Sequence, residues 1–370
     1  MDKIDAFLHT INFPSFYLKV ILSFITSLLI TYYSIPAIIK ISRRKNLMDE
    51  PGQRSSHERK IPNLGGIALF FAISVSASIY AYQLFDLYKF LFASLVILLY
   101  IGVMDDIVVM RAYKKLVAQI VVSAMLVIGS DVRIRNFFGV FGVYELNYFL
   151  SVVFSIITFI ILVNAFNLID GIDGLAGSYG LICFGLFGIS YYRLGEYNYP
   201  LVILSTTIMG SIIGFLFYNL SDRTKKIFMG DTGSMVLGFL LTFTAICFID
   251  IFIAKRGPGV VYYHLNSAPV IAVAILILPI IDTLNVIIIR LAEKRSPFEA
   301  DKNHIHHKLL RMGLSHKRAT LYIISYYLFI VIVAYFLRHI ENNSLLVLII
   351  SLGFLGAYLP DLLIRRKINN

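Results

Sequence analysis

The chain has 370 residues, of which 58% are hydrophobic and only 15% are charged. A soluble globular domain could not cover that many apolar side chains with polar surface, so the composition excludes a soluble protein. The formal charge of +11 does not indicate a nucleic-acid partner, because basic residues of membrane proteins concentrate in cytoplasmic loops. The two cysteines, Cys183 and Cys247, lie in apolar runs without the spacing of a zinc site or a disulfide framework.

Apolar runs long enough to cross a bilayer recur along the whole chain and predict an all-α polytopic integral membrane protein. We expect about eleven transmembrane helices in a single membrane-embedded domain, residues 1–370. The first run, about Phe13 to Ile39, is too long for a signal-peptide core and lacks an obvious cleavage site, so we expect it to be retained. The predicted spans are 14–39, 65–85, 88–104, 115–130, 147–163, 175–193, 199–219, 235–254, 268–289, 319–337 and 344–363.

Basic residues predict the orientation of these spans. The odd-numbered connecting loops and the C-terminus together hold 24 of the 33 Lys and Arg residues. An excess of Lys and Arg marks the cytoplasmic side, so the N-terminus is predicted to lie outside and the C-terminus in the cytoplasm. In the outward loops, residues 131–147 carry Gly139 and Gly142 and predict a small hairpin, and Gly257-Pro258-Gly259 predicts a turn.

Four polar clusters stand out, and the predicted topology places all four on the inner face. The first, Asp105-Asp106, directly follows the apolar run that ends at Met104. Two adjacent carboxylates at the end of a span cost desolvation energy unless they face water, a cation or a basic ligand. A solvated helix end is the alternative interpretation.

The second cluster places an amide or carboxylate at every third residue, at Asn164, Asn167, Asp170 and Asp173. On a helix this spacing keeps successive groups on a slowly rotating face, and Gly171 and Gly174 permit a turn. Their oxygens suit a hard cation such as Mg²⁺, with Mn²⁺ as an alternative, which takes the rest of its ligands from water and phosphates. A capped turn is the competing interpretation, which four such groups disfavour.

The third cluster, Phe228 to Met235, opens the next span. Asp231 could bind a metal there, and Gly and Ser amides at a helix N-terminus favour phosphate. An ordinary N-cap is the alternative.

The fourth cluster contains His304, His306 and His307. If it is helical, Asp301, His304 and Lys308 share one face. Three histidines could form a zinc site, but the hard-cation ligands elsewhere favour another role. The histidines and Lys308 would then bind a diphosphate or orient a neighbouring acid. A basic loop from Arg54 to Gly66, which includes His57 and Lys60, is either functional or ordinary cytoplasmic charge.

These motifs, in this order, resemble the polyprenyl-phosphate N-acetylhexosamine-1-phosphate transferases of glycosyltransferase family 4, which include WecA-type, TagO-type and MraY enzymes. The resemblance implies a magnesium-dependent enzyme of the bacterial inner membrane with its active site on the cytoplasmic face. A polyprenyl (undecaprenyl) phosphate would attack the β-phosphorus of a UDP-N-acetylhexosamine, with GlcNAc as the favoured sugar. The product would be a polyprenyl-diphosphate sugar that initiates a cell-envelope polysaccharide, such as a lipopolysaccharide O-antigen or a teichoic acid, and UMP would be released.

The resemblance also implies roles for individual residues. Asp231 would bind Mg²⁺, with Asn167 as a further ligand, and Asp105 or Asp106 would take the proton from the lipid phosphate. Phe228 would stack on uracil, while the remaining candidates would contact substrate. These are Asn164, Asp170, Asp173, His304, His306, His307 and Lys60.

The motif His-Ile-His-His and the run Pro62-Asn-Leu-Gly65-Gly66 favour the WecA and TagO side over an MraY-type phospho-MurNAc-pentapeptide transferase. A polytopic transporter is the rival from another class, but transporters place polar groups near mid-membrane rather than at span ends. A metal-dependent lipid phosphatase or protease is a further rival. Whether the protein forms a homodimer is left open by the sequence.

Overall fold

In a computed structural model of the chain, almost all secondary structure is α-helical. The structure describes residues 15–48, 60–108, 110–221, 224–253, 265–296, 301 and 303–369. The predicted turn at Gly257 to Gly259 and His57 of the basic loop lie outside the described residues. The helices are α1 (Ser15–Arg44), α2 (Gly65–Tyr80), α3 (Gln83–Leu87), α4 (Leu91–Val108), α5 (Ala112–Gly129), α6 (Tyr148–Ile169), α7 (Leu175–Arg193), α8 (Tyr199–Asn219), α9 (Gly230–Ile251), α10 (Ala268–Ile275), α11 (Ile277–Ala292), α12 (Ile305–Arg311), α13 (His316–Phe336) and α14 (Asn342–Asn369).

Each predicted span corresponds to a helix or to a pair of helices, which confirms a polytopic membrane protein. Nine helices of the described chain are long and apolar enough to cross a membrane. The run predicted as one span at 268–289 is instead the pair α10 and α11, bent by 72°. Helix α2 is apolar but only 16 residues long. The span count of about eleven and the orientation of the termini stay predictions.

The chain divides into two compact units. Unit 1 comprises residues 1–48, 61–131 and 180–236, and unit 2 comprises residues 49–60, 132–179 and 237–370. The prediction of a single domain is not tested by this division, and each unit is described by itself.

Unit 1 is built on close contact between α1 and α8. A Cβ added at Gly210 or Gly214 would collide with the α1 carbonyl oxygens of Phe24 and Leu28. The Ser27 hydroxyl donates to the carbonyl of Thr207 at 2.7 Å. Small residues that bring helix backbones together are the usual basis of helix association in membranes, where apolar burial alone gives little drive.

Unit 2 contains the bend between α10 and α11, and two tyrosines complete its hydrogen bonds. Tyr179 and Tyr327 both donate to the carbonyl of Ile275, each at 3.0 Å. A broken helix in an apolar environment is tolerated only where the backbone groups at the break find other partners. The two hydroxyls therefore make the bend a fixed feature of unit 2.

The predicted hairpin at 131–147 is confirmed, but it contains only one bridge between its two arms. Asn136 and Glu145 form an isolated antiparallel bridge, and the Phe137 amide donates to the carbonyl of Tyr144 at 2.9 Å. The described residues contain no longer strand. Arg135 of this loop forms an ion pair with Asp250 at the end of α9.

Candidate active site

In unit 1, the first and third motifs meet. Asp105 and Asp106 lie in the last turn of α4, and Asp231 lies in the first turn of α9. The Asp106 carboxylate accepts hydrogen bonds from the amides of Asp231 (2.8 Å) and Thr232 (3.0 Å) and from the Thr232 hydroxyl (2.6 Å). These amides have no partner within their own helix. Asp106 therefore caps α9 from a neighbouring helix.

Lys115, near the start of α5, joins the other two carboxylates. Its ammonium contacts Asp231 Oδ2 at 2.5 Å and also forms an ion pair with Asp105. Asp105 is buried, and its other oxygen accepts from the amide of Met110 at 2.6 Å. We call Asp105, Asp106, Lys115 and Asp231 the acidic cluster. In the sequence, Lys115 is one of the basic residues that predict a cytoplasmic loop, and none of the four polar clusters includes it.

The backbone of the Pro62 to Gly66 run contacts the chain just before α9, which carries Asp231. The Phe228 amide donates to the carbonyl of Pro62 at 2.8 Å, and the Gly65 amide donates to the carbonyl of Phe228 at 3.0 Å. A Cβ at Gly66 would collide with the backbone of Gly233, so no larger residue fits. This glycine pair is explained by the backbone contact that sets the start of α2 beside the start of α9.

Two predicted substrate contacts, Phe228 and Lys60, lie close in sequence to residues that the structure does not describe. The Phe228 ring is half-buried and lies 5.6 Å from the Lys226 ammonium, a cation–π arrangement. Lys60 is exposed and belongs to unit 2. Neither arrangement tests the predicted contact with uracil or with phosphate.

The acidic cluster contains the carboxylates that the sequence predicted as metal ligands or acids. Asp105 and Asp231 share one positive group, the Lys115 ammonium, so an oxygen of each carboxylate faces the same position. Among the described residues, no group of three or more His, Cys, Asp or Glu side chains is arranged to hold a metal ion. A cation held here would therefore keep water and phosphate ligands, as Mg²⁺ usually does. The same finding gives no support to a zinc site among His304, His306 and His307.

In unit 2, the second motif is a helix end followed by a turn. Asn164 and Asn167 lie in the last turns of α6, and Asp170 is its C-cap residue. Asn164 is exposed, and its amide donates to the carbonyl of Ile160 on the same helix at 2.7 Å. The chain then turns through Gly174, which has a φ of +76° that favours glycine. The predicted helical face therefore ends at Ile169, and the last aspartate of the motif lies in the turn.

That last aspartate, Asp173, is fixed by the start of α13. Its Oδ2 lies 3.0 Å from His316 Nδ1, and its carbonyl accepts from the Thr320 hydroxyl at 3.0 Å. His316 was not among the predicted site residues. No pattern in the sequence connects it to Asp173, because 143 positions separate them.

The fourth motif is only partly helical, so the shared face expected for Asp301, His304 and Lys308 is wrong. Helix α12 begins at Ile305, with His304 as its N-cap residue. Asp301 forms a local turn before it, accepting from the backbone amide of Asn303. We call His304, His306 and His307 the histidine segment. Their rings lie close together, with centroids 5.7 Å apart for the first two and 4.3 Å for the last two.

The histidine segment contacts the second motif directly. A Cβ at Gly171 would collide with His306 Nε2, so only glycine fits beside this ring. His306 is buried, and burial lowers its pKa to about 3, which keeps the imidazole neutral. Unit 2 thus brings the second and fourth motifs together, as unit 1 does with the first and third.

Basic side chains hold the segment that precedes the histidines. Although burial opposes it, the Asn303 amides and the guanidinium groups of Arg295 and Arg290 hold the pKa of Asp301 below its usual range. Arg295 contacts Asp301 Oδ2 at 3.1 Å, and Arg290 lies at 3.5 Å. Asp301 is therefore an anchor of the chain before α12.

Lys308 is buried against α14. Its ammonium is buried and donates to Asp361 Oδ2 at 2.5 Å and to the carbonyl of Ala357 at 3.3 Å, both on α14. The interpretation that this lysine grips a diphosphate is not supported, since its donors are used to attach α12 to α14.

Comparison with known proteins agrees with the resemblance. The family model described as glycosyl transferase family 4 matches residues 88–249. A probable undecaprenyl-phosphate N-acetylglucosaminyl 1-phosphate transferase of Bacillus subtilis (strain 168) is 30% identical over 311 residues, covering 83% of this chain and 81% of that protein.

Two further relatives come from other bacteria. The decaprenyl-phosphate N-acetylglucosaminephosphotransferase of Mycobacterium tuberculosis (strain ATCC 25618 / H37Rv) is 32% identical over 329 residues, covering 84% of this chain and 80% of that protein. The undecaprenyl-phosphate alpha-N-acetylglucosaminyl 1-phosphate transferase of Yersinia pestis is 29% identical over 287 residues, covering 76% and 74%. With the four motifs in place on a polytopic helical fold, this chain belongs to glycosyl transferase family 4, among the polyprenyl-phosphate N-acetylhexosamine-1-phosphate transferases.

Proposed function

We propose that this chain transfers N-acetylglucosamine 1-phosphate from UDP-GlcNAc to a polyprenyl phosphate in the bacterial inner membrane. The names of its relatives, which specify undecaprenyl or decaprenyl phosphate and N-acetylglucosamine, support the acceptor and the sugar. They do not favour the MurNAc-pentapeptide alternative. The product, a polyprenyl-diphosphate GlcNAc, would begin the assembly of a cell-envelope polysaccharide.

The proposed reaction exchanges one phosphoryl bond for another. An oxygen of the polyprenyl phosphate forms a bond to the β-phosphorus of UDP-GlcNAc, and the bond from that phosphorus to the bridging oxygen breaks. UMP leaves with the bonding electron pair. Because the acceptor phosphate is largely ionised near pH 7, such a transfer needs positioning and charge neutralisation more than a strong base.

The single observation that carries the proposal is the convergence of Asp105 and Asp231 on the Lys115 ammonium. Mg²⁺ bound by Asp231 would neutralise charge on the diphosphate. Lys115 lies within reach of both carboxylates and could supply positive charge to a phosphate that enters the cluster. Asp106 has committed its oxygens to α9, so of the pair we assign any contact with the acceptor's proton to Asp105.

Unit 2 would recognise the donor. We assign the neutral His306 and its neighbours His304 and His307 to hydrogen bonds with the phosphates or the sugar. Asn164, Asp170 and Asp173 would contact the nucleotide, and Asn167 is retained as a second metal ligand on the resemblance alone. Phe228 and Lys60 remain proposed contacts for uracil and phosphate.

A location at the cytoplasmic membrane surface follows from the substrates. One is a long lipid that cannot leave the bilayer, and the other is a soluble nucleotide sugar. Clusters at the ends of the apolar helices α4 and α9 suit a reaction at that boundary.

The test is an assay with purified protein in vesicles that contain polyprenyl phosphate. UDP-GlcNAc, UDP-GalNAc and UDP-MurNAc-pentapeptide are offered separately with Mg²⁺, and UMP and lipid products are identified by mass. We expect UMP only with UDP-GlcNAc and lipid together, and no product when EDTA is present. Release of UMP without lipid would indicate a hydrolase, and uptake of the nucleotide sugar without UMP would indicate a transporter.

A further inference from the structure

The buried carboxylate of Asp282 has no part in any motif of the sequence, yet it contacts the histidine segment. Asp282 lies in the second turn of α11, just after the bend that Tyr179 and Tyr327 stabilise at Ile275. Only 1% of its surface is exposed. An ionisable side chain buried in a membrane protein is costly, which makes a specific partner the expected reason for its presence.

That partner is the start of α12. Asp282 Oδ2 lies 2.7 Å from His304 Nδ1, and Asp282 Oδ1 accepts from the backbone amide of Ile305 at 2.7 Å. One carboxylate thus fixes both the imidazole and the backbone beside it. Because an ionised carboxylate only accepts hydrogen bonds, the proton of the His304 ring is placed on Nδ1.

The contact between Asp282 and His304 also affects the rest of the histidine segment. With Nδ1 bound to Asp282, Nε2 is the His304 atom left for a ligand. The His304 ring also stacks on that of His306, with an interplanar angle of 13°, and His306 lies against Gly171 of the second motif. The orientation of two imidazoles therefore depends on the position of one carboxylate.

We propose that Asp282 is a positioning residue of the active site, which sets the tautomer and orientation of His304 so that Nε2 faces the donor's phosphates or sugar. The proposal rests on the proposed function, since it gives His304 a ligand. It adds a group that neither the motifs nor the resemblance includes.

A double-mutant cycle tests whether Asp282 acts through His304. Rates of UMP release are measured for the wild type, Asp282→Asn, His304→Ala and the double variant. We expect Asp282→Asn to lower kcat by about 10- to 100-fold, the range found for the hydrogen-bond partners of metal-bound histidines. In the His304→Ala background the same change should cost less than about threefold. Equal losses in both backgrounds, or no loss in the wild type, would overturn the proposal.

Asn285 offers the matched control. It lies one turn further along α11, is fully buried, and its side-chain amide makes no hydrogen bond to the residues that the structure describes. Asn285→Leu changes the polarity of the same buried helix face without touching His304, so its effect should be the same in both backgrounds. If Asp282→Asn fails to fold, Asp282→Ser, which removes the carboxylate but keeps a small polar group, replaces it in the cycle.

A spectroscopic measurement separates this proposal from the proposed function. Protein labelled with ¹⁵N-histidine is compared with His304→Gln to assign the His304 signals. The wild type should show a proton on Nδ1, and Asp282→Asn should shift that signal. If the wild type transfers no sugar but the Nδ1 signal responds, the proposed function fails while the orientation by Asp282 stands. A signal that does not change contradicts the positioning role whatever the activity.

Discussion

The acidic cluster of unit 1 and the histidine segment of unit 2 differ in how many of their carboxylates have a basic partner. The acidic cluster sets three carboxyl groups, Asp105, Asp106 and Asp231, beside one ammonium, that of Lys115, so acidic groups outnumber the basic group by two. Around the histidine segment, four carboxylates each have a histidine, lysine or arginine side chain as a partner. These pairs are Asp282 with His304, Asp173 with His316, Asp301 with Arg290 and Arg295, and Asp361 with Lys308.

This difference in pairing indicates that the two regions have different roles. A cluster with surplus negative charge gains from a bound cation, because that cation removes repulsion between the carboxylates. Carboxylates that already have a partner gain less from a cation, and their contacts instead fix the histidine segment in place. This contrast supports the proposed roles of the acidic cluster as the cation site and of the histidine segment as a surface for the donor.

The largest effect should come from removing charge at the cation site. Asp231→Asn keeps the side-chain shape but removes the ligand charge, so we expect the rate of UMP release to fall by about 10³-fold or more. Asp86→Asn, at an exposed aspartate of α3, is the control for the loss of one surface charge and should leave the rate unchanged. Near-normal rates for Asp231→Asn would contradict the proposal that the acidic cluster is the cation site.

A smaller but still large effect should follow from crowding the histidine segment. In Gly171→Ala the new methyl group collides with His306, and overpacking of this kind costs about 1–3 kcal/mol. We expect a lower thermal midpoint and a rate reduced by about tenfold. Gly185→Ala is the control, since its Cβ would meet only the flexible Met209 side chain at 3.6 Å. An unchanged midpoint and rate for Gly171→Ala would show that the contact with His306 does not matter.

The neutral state of His306 predicts a pH dependence of stability. Burial lowers its pKa to about 3, so the folded ring stays neutral where the ring of the unfolded chain, with a pKa of about 6.5, becomes protonated. The stabilisation is complete above about pH 6.5 and is lost as the pH falls toward 3, about 1.4 kcal/mol of it by pH 5.5.

Thermal midpoints in detergent at pH 7.5 and pH 5.5 measure this effect. His306→Gln removes the titrating ring, so its midpoint should fall less than that of the wild type over the same interval. Equal falls for the two proteins would mean that His306 is charged, or not buried, in the folded state.

The smallest effect concerns the competition between Lys115 and the cation. Without its ammonium, Lys115→Met should bind Mn²⁺ about fivefold more tightly, equal to about 1 kcal/mol for a partly exposed ion pair. The neighbouring exposed Lys114 provides the control, because Lys114→Met removes the same charge without touching the carboxylates. Weaker binding by Lys115→Met would mean that the lysine supports the cation site instead of competing with it.

Much of this arrangement could be predicted from the sequence. Long apolar runs predicted the helices, as the structure confirms. The motifs Asp105-Asp106, Asn164 to Gly174, Phe228 to Met235 and the histidines were predicted to be polar clusters, and the structure brings them together in pairs. Asp231 does open a helix, as its position before an apolar run indicated. Such features are local, so a short window of sequence contains them.

What the sequence did not predict depends on contacts between distant residues. The 72° bend lies within one unbroken apolar run, and the tyrosines that stabilise it are 96 and 52 positions away from Ile275. Lys115 resembled ordinary loop charge, and His316 gave no signal at all. Asp282 does carry a signal in the sequence, because a lone carboxylate inside an apolar run indicates a buried partner.

Binding of Mn²⁺ to purified protein, followed by electron paramagnetic resonance, tests most directly whether the acidic cluster is the cation site. We predict that the wild type and His306→Gln bind Mn²⁺ alike and that Asp231→Asn does not bind it at the same concentration. Binding that survives in Asp231→Asn but is lost in His306→Gln would contradict the account.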